Sequence, residues 1–207
     1  MTIPRWLGWA RRLQATAQSG LAYNDNVYDR ERYEAILALA GEILAQYTTL
    51  DPKPTVAAFR QQIGYATPKV GVRGAVVRDG KVLLVQERSD GRWCLPGGWA
   101  DVGESRAEMV VREVQEESGL EVTPRKVVAV YDANRSPDKP AEFYHAYKII
   151  FLCDITGGAV QASYETLAVD FFPFDQLPPL SSDRTSERVL CEVAAHVADE
   201  ARPTAFD

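Results

Sequence analysis

The sequence predicts an α+β protein, with a small all-helical N-terminal domain over residues 1–65 and a mixed sheet covered by helices over residues 66–207. Three observations support this fold class. Apolar residues recur at three- and four-residue steps through the first segment, the pattern changes to that of strands at Lys69, and an amphipathic helical pattern returns over residues 105–118. This order of strands and helices is typical of a sheet that helices cover.

Three helices are predicted in the N-terminal domain. The first begins near Pro4 and is expected to end at a C-terminal cap, Gly20. The second begins after Asp29 as its N-cap, and the third runs from Val56 to Ile63. Their apolar faces exceed what three short helices can hide among themselves. We therefore expect them to pack on the second domain or on a second copy of the chain.

A β-hairpin opens the second domain. Two apolar runs, residues 70–77 and 82–85, flank Asp79-Gly80, a pair that favours a two-residue turn. Further strands are predicted over residues 127–131, 147–155 and 171–174, and a last helix over residues 185–201.

Composition restricts the class of protein and its compartment. The hydrophobic share of 46% and the charged share of 25% are ordinary for a folded globular chain. No apolar run approaches the roughly 18 residues of a membrane span, and the N-terminus lacks the pattern of a secretory signal. Three widely spaced cysteines argue against a disulfide framework and a zinc site. We expect a cytoplasmic protein that does not contact membranes.

The net charge of −6 is unevenly distributed, with +1 over residues 1–65 and −7 over the remainder. Neither part carries the basic footprint of a DNA- or RNA-binding protein. An acidic domain that binds an anionic substrate needs a cation between the two, which is a first indication of a metal.

One stretch, which we call the acidic segment (residues 98–120), carries an ordered set of carboxylates; it reads GWADVGESRAEMVVREVQEESGL. Glu113, Glu116 and Glu117 stand at i, i+3 and i+4, so a helix projects all three to one side. Carboxylate oxygens suit Mg²⁺ or Mn²⁺, and a cation would relieve their mutual repulsion. Arg112 is expected to pair with Glu108, one turn earlier.

The acidic segment resembles the Nudix box, G-x5-E-x7-R-E-U-x-E-E-x-G-U with U aliphatic, at every specified place. The matching residues are Gly98, Glu104, Arg112, Glu113, Val114, Glu116, Glu117, Gly119 and Leu120. The likeness extends over residues 69–201. It implies an α/β/α sandwich and hydrolysis of a nucleoside diphosphate linked to a second group, X.

The same resemblance implies roles for single residues. Glu113, Glu116 and Glu117 take the metal-ligand places, and the carbonyl group of Gly97 is a frequent additional ligand of Mg²⁺ or Mn²⁺. The supporting acid and the orienting cation correspond to Glu104 and Arg112.

The general base is left open between two carboxylates, and two arginines are candidates to bind phosphate. Glu113 lies on the predicted helix, where metal cations would lower its pKa, so Glu165 in the loop before the last strand is favoured as the base. Arg88, just before the glycine turn, could contact phosphate, and Arg73 is a weaker candidate.

A second resemblance concerns the first 45 residues, which are similar to the helical extension of bacterial Nudix enzymes described as CDP-choline or ADP-ribose pyrophosphatases. It implies a homodimer that cleaves CDP-choline to CMP and phosphocholine, with ADP-ribose, cleaved to AMP and ribose 5-phosphate, as the alternative. Two further hypotheses are a hydrolase of RNA ends and a ligand-sensing regulator without catalysis. The missing basic surface disfavours both.

Overall fold

The computed structural model describes residues 4–135 and 145–207. The described residues form two compact units, one made mainly of residues 4–68 and the other of residues 69–135 and 146–207. Within these described ranges, none of the helices combines the length and the apolar composition that a membrane span requires.

The first unit consists of three helices around a small apolar core. The helices are α1 (Arg5–Tyr23), α2 (Val27–Tyr47) and α3 (Pro52–Arg60). The fully buried side chains of this core are Leu7, Ala10, Ala17, Leu37, Leu44 and Phe59.

Gly20 lies inside α1 and does not end it, contrary to the prediction. The helix continues to Tyr23, and Asn24 is its C-cap. A Cβ on Gly20 would collide with the ring of Tyr33 on α2. The glycine therefore permits close approach of the two helices and does not supply a left-handed cap.

The predicted starts of α2 and α3 were also wrong. Asn26, not Asp29, caps α2, because its side chain accepts hydrogen bonds from two backbone amides in the first turn. The third helix begins at Pro52, where the missing N–H of proline costs nothing, and Asp51 caps it by accepting from the amide of Lys53 at 2.9 Å.

The second unit is built on a mixed sheet. Its elements are β1 (Lys69–Arg78), β2 (Lys81–Glu87), β3 (Trp93–Cys94), α4 (Arg106–Ser118), β4 (Leu120–Asp132), β5 (Ala146–Gly158), β6 (Thr166–Pro173), α5 (Glu187–Ala198) and β7 (Ala205–Phe206). The strand order is β3-β2-β1-β5-β4-β7, with β6 paired to β2. The pairs β1–β5 and β4–β7 are parallel and the others are antiparallel.

The predicted hairpin between β1 and β2 is present. Asp79 and Gly80 both have positive φ angles, 53° and 73°, as a type I′ turn requires. Arg78 pairs with Lys81 across this turn.

A hydrophobic core lies on each face of the sheet, between the sheet and a helix. Val72 and Val76 of β1 pack with Val110 of α4, whereas Ala75 lies in the cluster that contains Val189 of α5. Alternate residues of β1 therefore face opposite helices. This arrangement confirms the predicted α/β/α sandwich with a mixed sheet.

The buried His196, on α5, is expected to make the stability of the protein depend on pH. Its side chain is fully buried, and neither ring nitrogen makes a well-formed hydrogen bond, although Nε2 lies 3.3 Å from Oε1 of Glu192. Burial lowers the pKa of His196, Lys126 and Arg202 lower it further, and Glu192 opposes them. As pH falls through about 6.5, the unfolded chain takes up a proton that the folded chain resists. The free energy of unfolding should therefore fall as the pH is lowered through this range.

Urea unfolding between pH 7.5 and pH 5.5 tests this prediction. His196→Leu should flatten the dependence relative to the unaltered chain, whereas His145→Gln, which changes an exposed histidine, should leave it as it is. Equal flattening in both variants would show that the buried imidazole is not the source.

Candidate functional site

A glycine-rich loop, residues 95–100, is fixed to the edge of β1. The amides of Val72 and Gly74 donate to the carbonyl oxygens of Gly98 and Pro96 at 2.9 and 2.8 Å. Gly97 has a φ of +141°, and a Cβ there would collide with the carbonyl oxygen of Val72. Only glycine fits this position, which lets the loop backbone lie close against β1.

Helix α4 is defined at both ends by its own sequence. Ser105 and Glu108 form a capping box, in which the Ser105 hydroxyl accepts from the amide of Glu108, and the Glu108 carboxylate accepts from the amide of Ser105. Gly119, with a φ of 75°, ends the helix in the left-handed conformation. These bounds agree with the predicted range, residues 105–118, and the spacing S-x-x-E at residues 105–108 accounts for the start.

Of the three carboxylates expected to bind metal, two lie against the glycine loop, and the three differ in exposure. Glu117 is only 7% exposed and accepts a hydrogen bond from the amide of Gly97 at 3.0 Å. Glu113 is mostly buried, and its oxygens lie 2.9 Å from where a Cβ on Gly98 would stand. The side chain of Glu116 is 58% exposed. The structure thus brings the loop and two buried acids together.

Burial raises the pKa of both inner carboxyl groups. For Glu117 the pKa rises to about 7, with the charge of Arg73 as the largest opposing influence. Burial also raises the pKa of Glu113, with Arg112 as the largest opposing influence. These shifts indicate carboxylates whose negative charge lacks full compensation from the protein.

Arg112 is the centre of an ion-pair network at the solvent side of the site. Its guanidinium lies 3.0 Å from Glu104, 3.2 Å from Glu113, 2.8 Å from Glu116 and 3.2 Å from Asp101. The hydrogen bonds that Arg112 donates to Glu104 contribute most to raising the pKa of Arg112.

The expected pair between Arg112 and Glu108 does not form. Glu108 turns back to the amide of Ser105 in the capping box, and Arg112 is left for other acids. The participation of Asp101 was not predicted, because it depends on how the loop before α4 folds back.

Arg73 is buried beneath the glycine loop, with 8% exposure, and not on the surface. Its Nη1 donates to the carbonyl oxygens of Leu95 and Gly97. The side chain that was a weaker candidate for phosphate therefore contacts the loop itself. Its positive charge lowers the pKa of Glu117 and so opposes the effect of burial.

The loop before β6 is joined to the end of α4. Three consecutive carbonyl groups there accept hydrogen bonds from this loop: Glu117 from the Thr166 hydroxyl at 3.2 Å, Ser118 from the amide of Gln161 at 2.9 Å, and Gly119 from the amide of Ala159 at 3.2 Å. These bonds satisfy carbonyl groups that a helix end leaves without partners.

Glu165 and Arg88 lie on or beside this loop. Glu165 is exposed, one residue before the buried Thr166, and in the described part of the chain no hydrogen bond or ion pair joins its carboxylate to the acids of α4. Arg88 is exposed and donates through Nε to the carbonyl oxygen of Tyr164 at 3.1 Å. Glu165 is thus held near the end of α4 through Thr166, and Arg88 contacts the same loop.

The donor set fits a hard divalent cation. Within residues 4–135 and 145–207, no three acidic side chains already converge as a metal cage, since Arg112 holds Glu113 and Glu116, and Glu117 turns to Gly97. The chemistry of the donors nevertheless suits Mg²⁺ or Mn²⁺, because buried carboxylates with raised pKa values need a positive charge that the protein supplies only in part.

Millimolar Mg²⁺ is expected to raise the melting temperature. An ion that binds the folded chain stabilises it, by about 2.7 kcal/mol at 100 times its dissociation constant. Differential scanning fluorimetry with MgCl₂ against EDTA measures the shift, with NaCl at equal ionic strength as control. A melting temperature indifferent to Mg²⁺ would contradict a metal site on α4.

Two family models match the chain. One described as "NUDIX domain" covers residues 67–193, and one described as "UDP-X-like, N-terminal oligomerisation domain" covers residues 4–59.

Two of three related proteins extend over both matched regions. The putative ADP-ribose pyrophosphatase YjhB of Bacillus subtilis (strain 168) is 41% identical over 203 residues, covering 98% of this chain and 97% of the relative. A solved UDP-X diphosphatase is similar with a TM-score of 0.62 and 32% identity, covering 98% of each chain. A solved ADP-ribose pyrophosphatase from Streptococcus suis has a TM-score of 0.62 and 40% identity, covering 68% of this chain and 100% of that one.

Proposed function

Because this chain belongs to the Nudix family of hydrolases, we propose that it cleaves the pyrophosphate link of a nucleoside diphosphate joined to a group X, with ADP-ribose as the first substrate. Support for ADP-ribose comes from the relative that matches along almost the whole chain, which is named for that activity. CDP-choline, placed first by the sequence analysis, has no such support and becomes the alternative.

The observation that carries the proposal is the pair of buried carboxylates, Glu113 and Glu117, against the glycine loop. We assign them, with Glu116 and the carbonyl group of Gly97, to a divalent ion, Mg²⁺ or Mn²⁺. Such an ion, when bound, polarises the phosphoryl oxygens and lowers the pKa of an attacking water. Arg112 fixes Glu113 and Glu116 through its ion pairs.

We assign the remaining roles to groups at the edge of the site. Glu165 accepts the proton of the attacking water, because it lies one residue from Thr166, whose hydroxyl is bonded to the last turn of α4. Arg88 contacts a substrate phosphate, since its exposed guanidinium lies against the same loop. Glu104 supports Arg112 from the opposite side.

A panel of substrates tests the proposal. ADP-ribose, CDP-choline and a UDP-linked sugar are compared by kcat/KM in Mg²⁺, with AMP, CMP and UMP identified as products. A higher value for ADP-ribose is expected. If CDP-choline were faster, the order would return to that of the sequence analysis, and if none of them were cleaved, the pyrophosphatase assignment itself would be wrong.

UDP-linked compounds form a second candidate class. The solved UDP-X diphosphatase matches 98% of this chain, including the helical unit. The same panel separates this class from ADP-ribose.

Two hypotheses from other classes need their own controls. A labelled RNA oligonucleotide that stays intact at high enzyme concentration would exclude action on RNA ends. Hydrolysis without any shift of DNA at low salt would exclude a sensing regulator.

We also propose that residues 1–65 assemble two copies of the chain, and that residues 66–207 hold the chemistry. The helical unit exposes Trp9 (54%) and Tyr23 (74%), which stand 14 residues apart on α1 and so on nearly the same face. Exposed aromatic residues of this kind are common at interfaces between copies. Because its three cysteines are free, we infer that the protein acts in a reducing compartment such as the cytoplasm.

Trp9→Glu should convert a dimer to a monomer, because a charge would replace an apolar contact at the interface. Light scattering after size-exclusion chromatography measures the mass. Phe206→Glu, which places the same charge at an exposed aromatic position of the other unit, is the control and should not dissociate the dimer. A monomeric unaltered chain at micromolar concentration would refute the assembly.

A further inference from the structure

Trp99 is an exposed aromatic side chain held on a rigid backbone directly after the glycine loop. The residues on both sides of it are fixed to β1. The amide of Ala100 donates to the carbonyl oxygen of Val70 at 2.7 Å, and the carbonyl oxygen of Gly98 accepts from the amide of Val72 at 2.9 Å. Despite this order, 51% of Trp99 remains exposed.

One edge of the Trp99 ring rests on Gly71. Its Cε3 and Cζ3 atoms lie 3.7 and 3.9 Å from where a Cβ on Gly71 would stand. Because Gly71 has no side chain, the edge of the ring can lie close to the backbone of β1. The rest of the ring faces solvent, where a large apolar surface gains nothing from packing.

The position of Trp99 places it beside the acidic site. Gly98, the preceding residue, lies against the carboxylate of Glu113. Gly71 and Arg73 are two residues apart on β1 and so face the same side of the sheet as Ala75, the side opposite to α4, and the Arg73 side chain reaches beneath the loop towards Glu117. Trp99 therefore lies across the glycine loop from the carboxylates of α4, one residue from the glycine that contacts Glu113.

We propose that Trp99 is a stacking platform for the nucleobase of the substrate. This inference rests on the proposed function, because it needs a nucleotide at the acidic site. An indole face stacks on purines and pyrimidines alike, without reading their hydrogen-bonding edges. Trp99 therefore supplies affinity for the nucleoside half and tolerance towards the identity of its base.

Equilibrium binding tests the platform apart from turnover. Calorimetry in Mg²⁺ compares AMP and UMP, which carry a base, with inorganic pyrophosphate, which does not. Trp99→Ala should weaken the binding of AMP and UMP about tenfold or more and leave the affinity for pyrophosphate unchanged. Trp99→Phe should restore most of the loss, whereas Trp99→Leu, which is apolar without a ring, should not. Phe206→Ala is the control for an exposed aromatic side chain elsewhere in the unit.

The kinetic counterpart is a rise in KM for ADP-ribose and a UDP-linked sugar by similar factors, with kcat little changed. If Trp99→Ala weakened the binding of pyrophosphate as much as that of AMP and UMP, the loop would be generally disturbed, and the proposed stacking role would be overturned. Loss of the dimer in this variant would show that Trp99 is a contact between copies. If the unaltered chain neither cleaved these nucleotides nor bound AMP, the proposed function would fail. Normal turnover with normal binding in Trp99→Ala would refute the platform alone.

Discussion

Glu117→Gln is expected to remove most turnover, by roughly 100-fold or more in kcat/KM, while the fold is retained. The substitution keeps the size of the side chain and its hydrogen bond from the amide of Gly97, but removes the negative charge that a metal ion needs. Because burial already raises the pKa of this carboxyl group to about 7, the amide should cost the metal-free protein no stability.

Three measurements separate the metal role from a folding defect. The melting temperature in EDTA should not fall, the increase in melting temperature with Mg²⁺ should be lost, and calorimetry should show weaker Mg²⁺ binding. Glu121→Gln, an exposed acid just beyond α4, is the matched control and should behave as the unaltered chain. Near-normal turnover of Glu117→Gln at saturating Mg²⁺ would remove this residue from the metal site.

Glu165→Gln should lower kcat about 100-fold or more, while KM and the Mg²⁺ dependence stay nearly constant, because a general base acts mainly in the transition state. Glu113→Gln should instead raise the Mg²⁺ concentration required for activity, since we assign this buried carboxylate to the metal. Steady-state kinetics over a Mg²⁺ titration distinguish the two effects.

The same experiment decides between the two candidate bases. If Glu165→Gln turned over normally, and excess metal could not rescue Glu113→Gln, then the roles would have to be exchanged. Glu121→Gln again controls for the loss of one negative charge near the site.

Local sequence signals predicted the parts of the fold that depend on neighbouring residues. The turn at Asp79-Gly80 and the helix that carries Glu113, Glu116 and Glu117 follow from side-chain spacing and backbone preference alone. The first two-residue strand, β3, was missed, because a run so short has no period and exists only through its pairing with β2. The other, β7, exists only through its pairing with β4.

Contacts between distant residues could not be predicted in this way. Arg73 reaches carbonyl groups 22 and 24 residues away, and Thr166 bonds to Glu117 across 49 residues. A surface arginine and a buried one look alike in a strand pattern until the neighbouring loop is placed. The wrong partner for Arg112 has a similar origin, because helical spacing allowed Glu108 while the capping box removed it.

The three hydrogen bonds between the end of α4 and the loop over residues 159–166 have a consequence for protein engineering. A loop that is secured to a helix end at three successive carbonyl groups is not an independent module. Exchange of this loop with that of a relative would keep the three bonds only if the new loop placed a hydroxyl group and two backbone amides at the same positions. Libraries that aim to change the substrate should therefore keep Thr166 and the length of this loop, and vary only side chains that leave the three bonds in place.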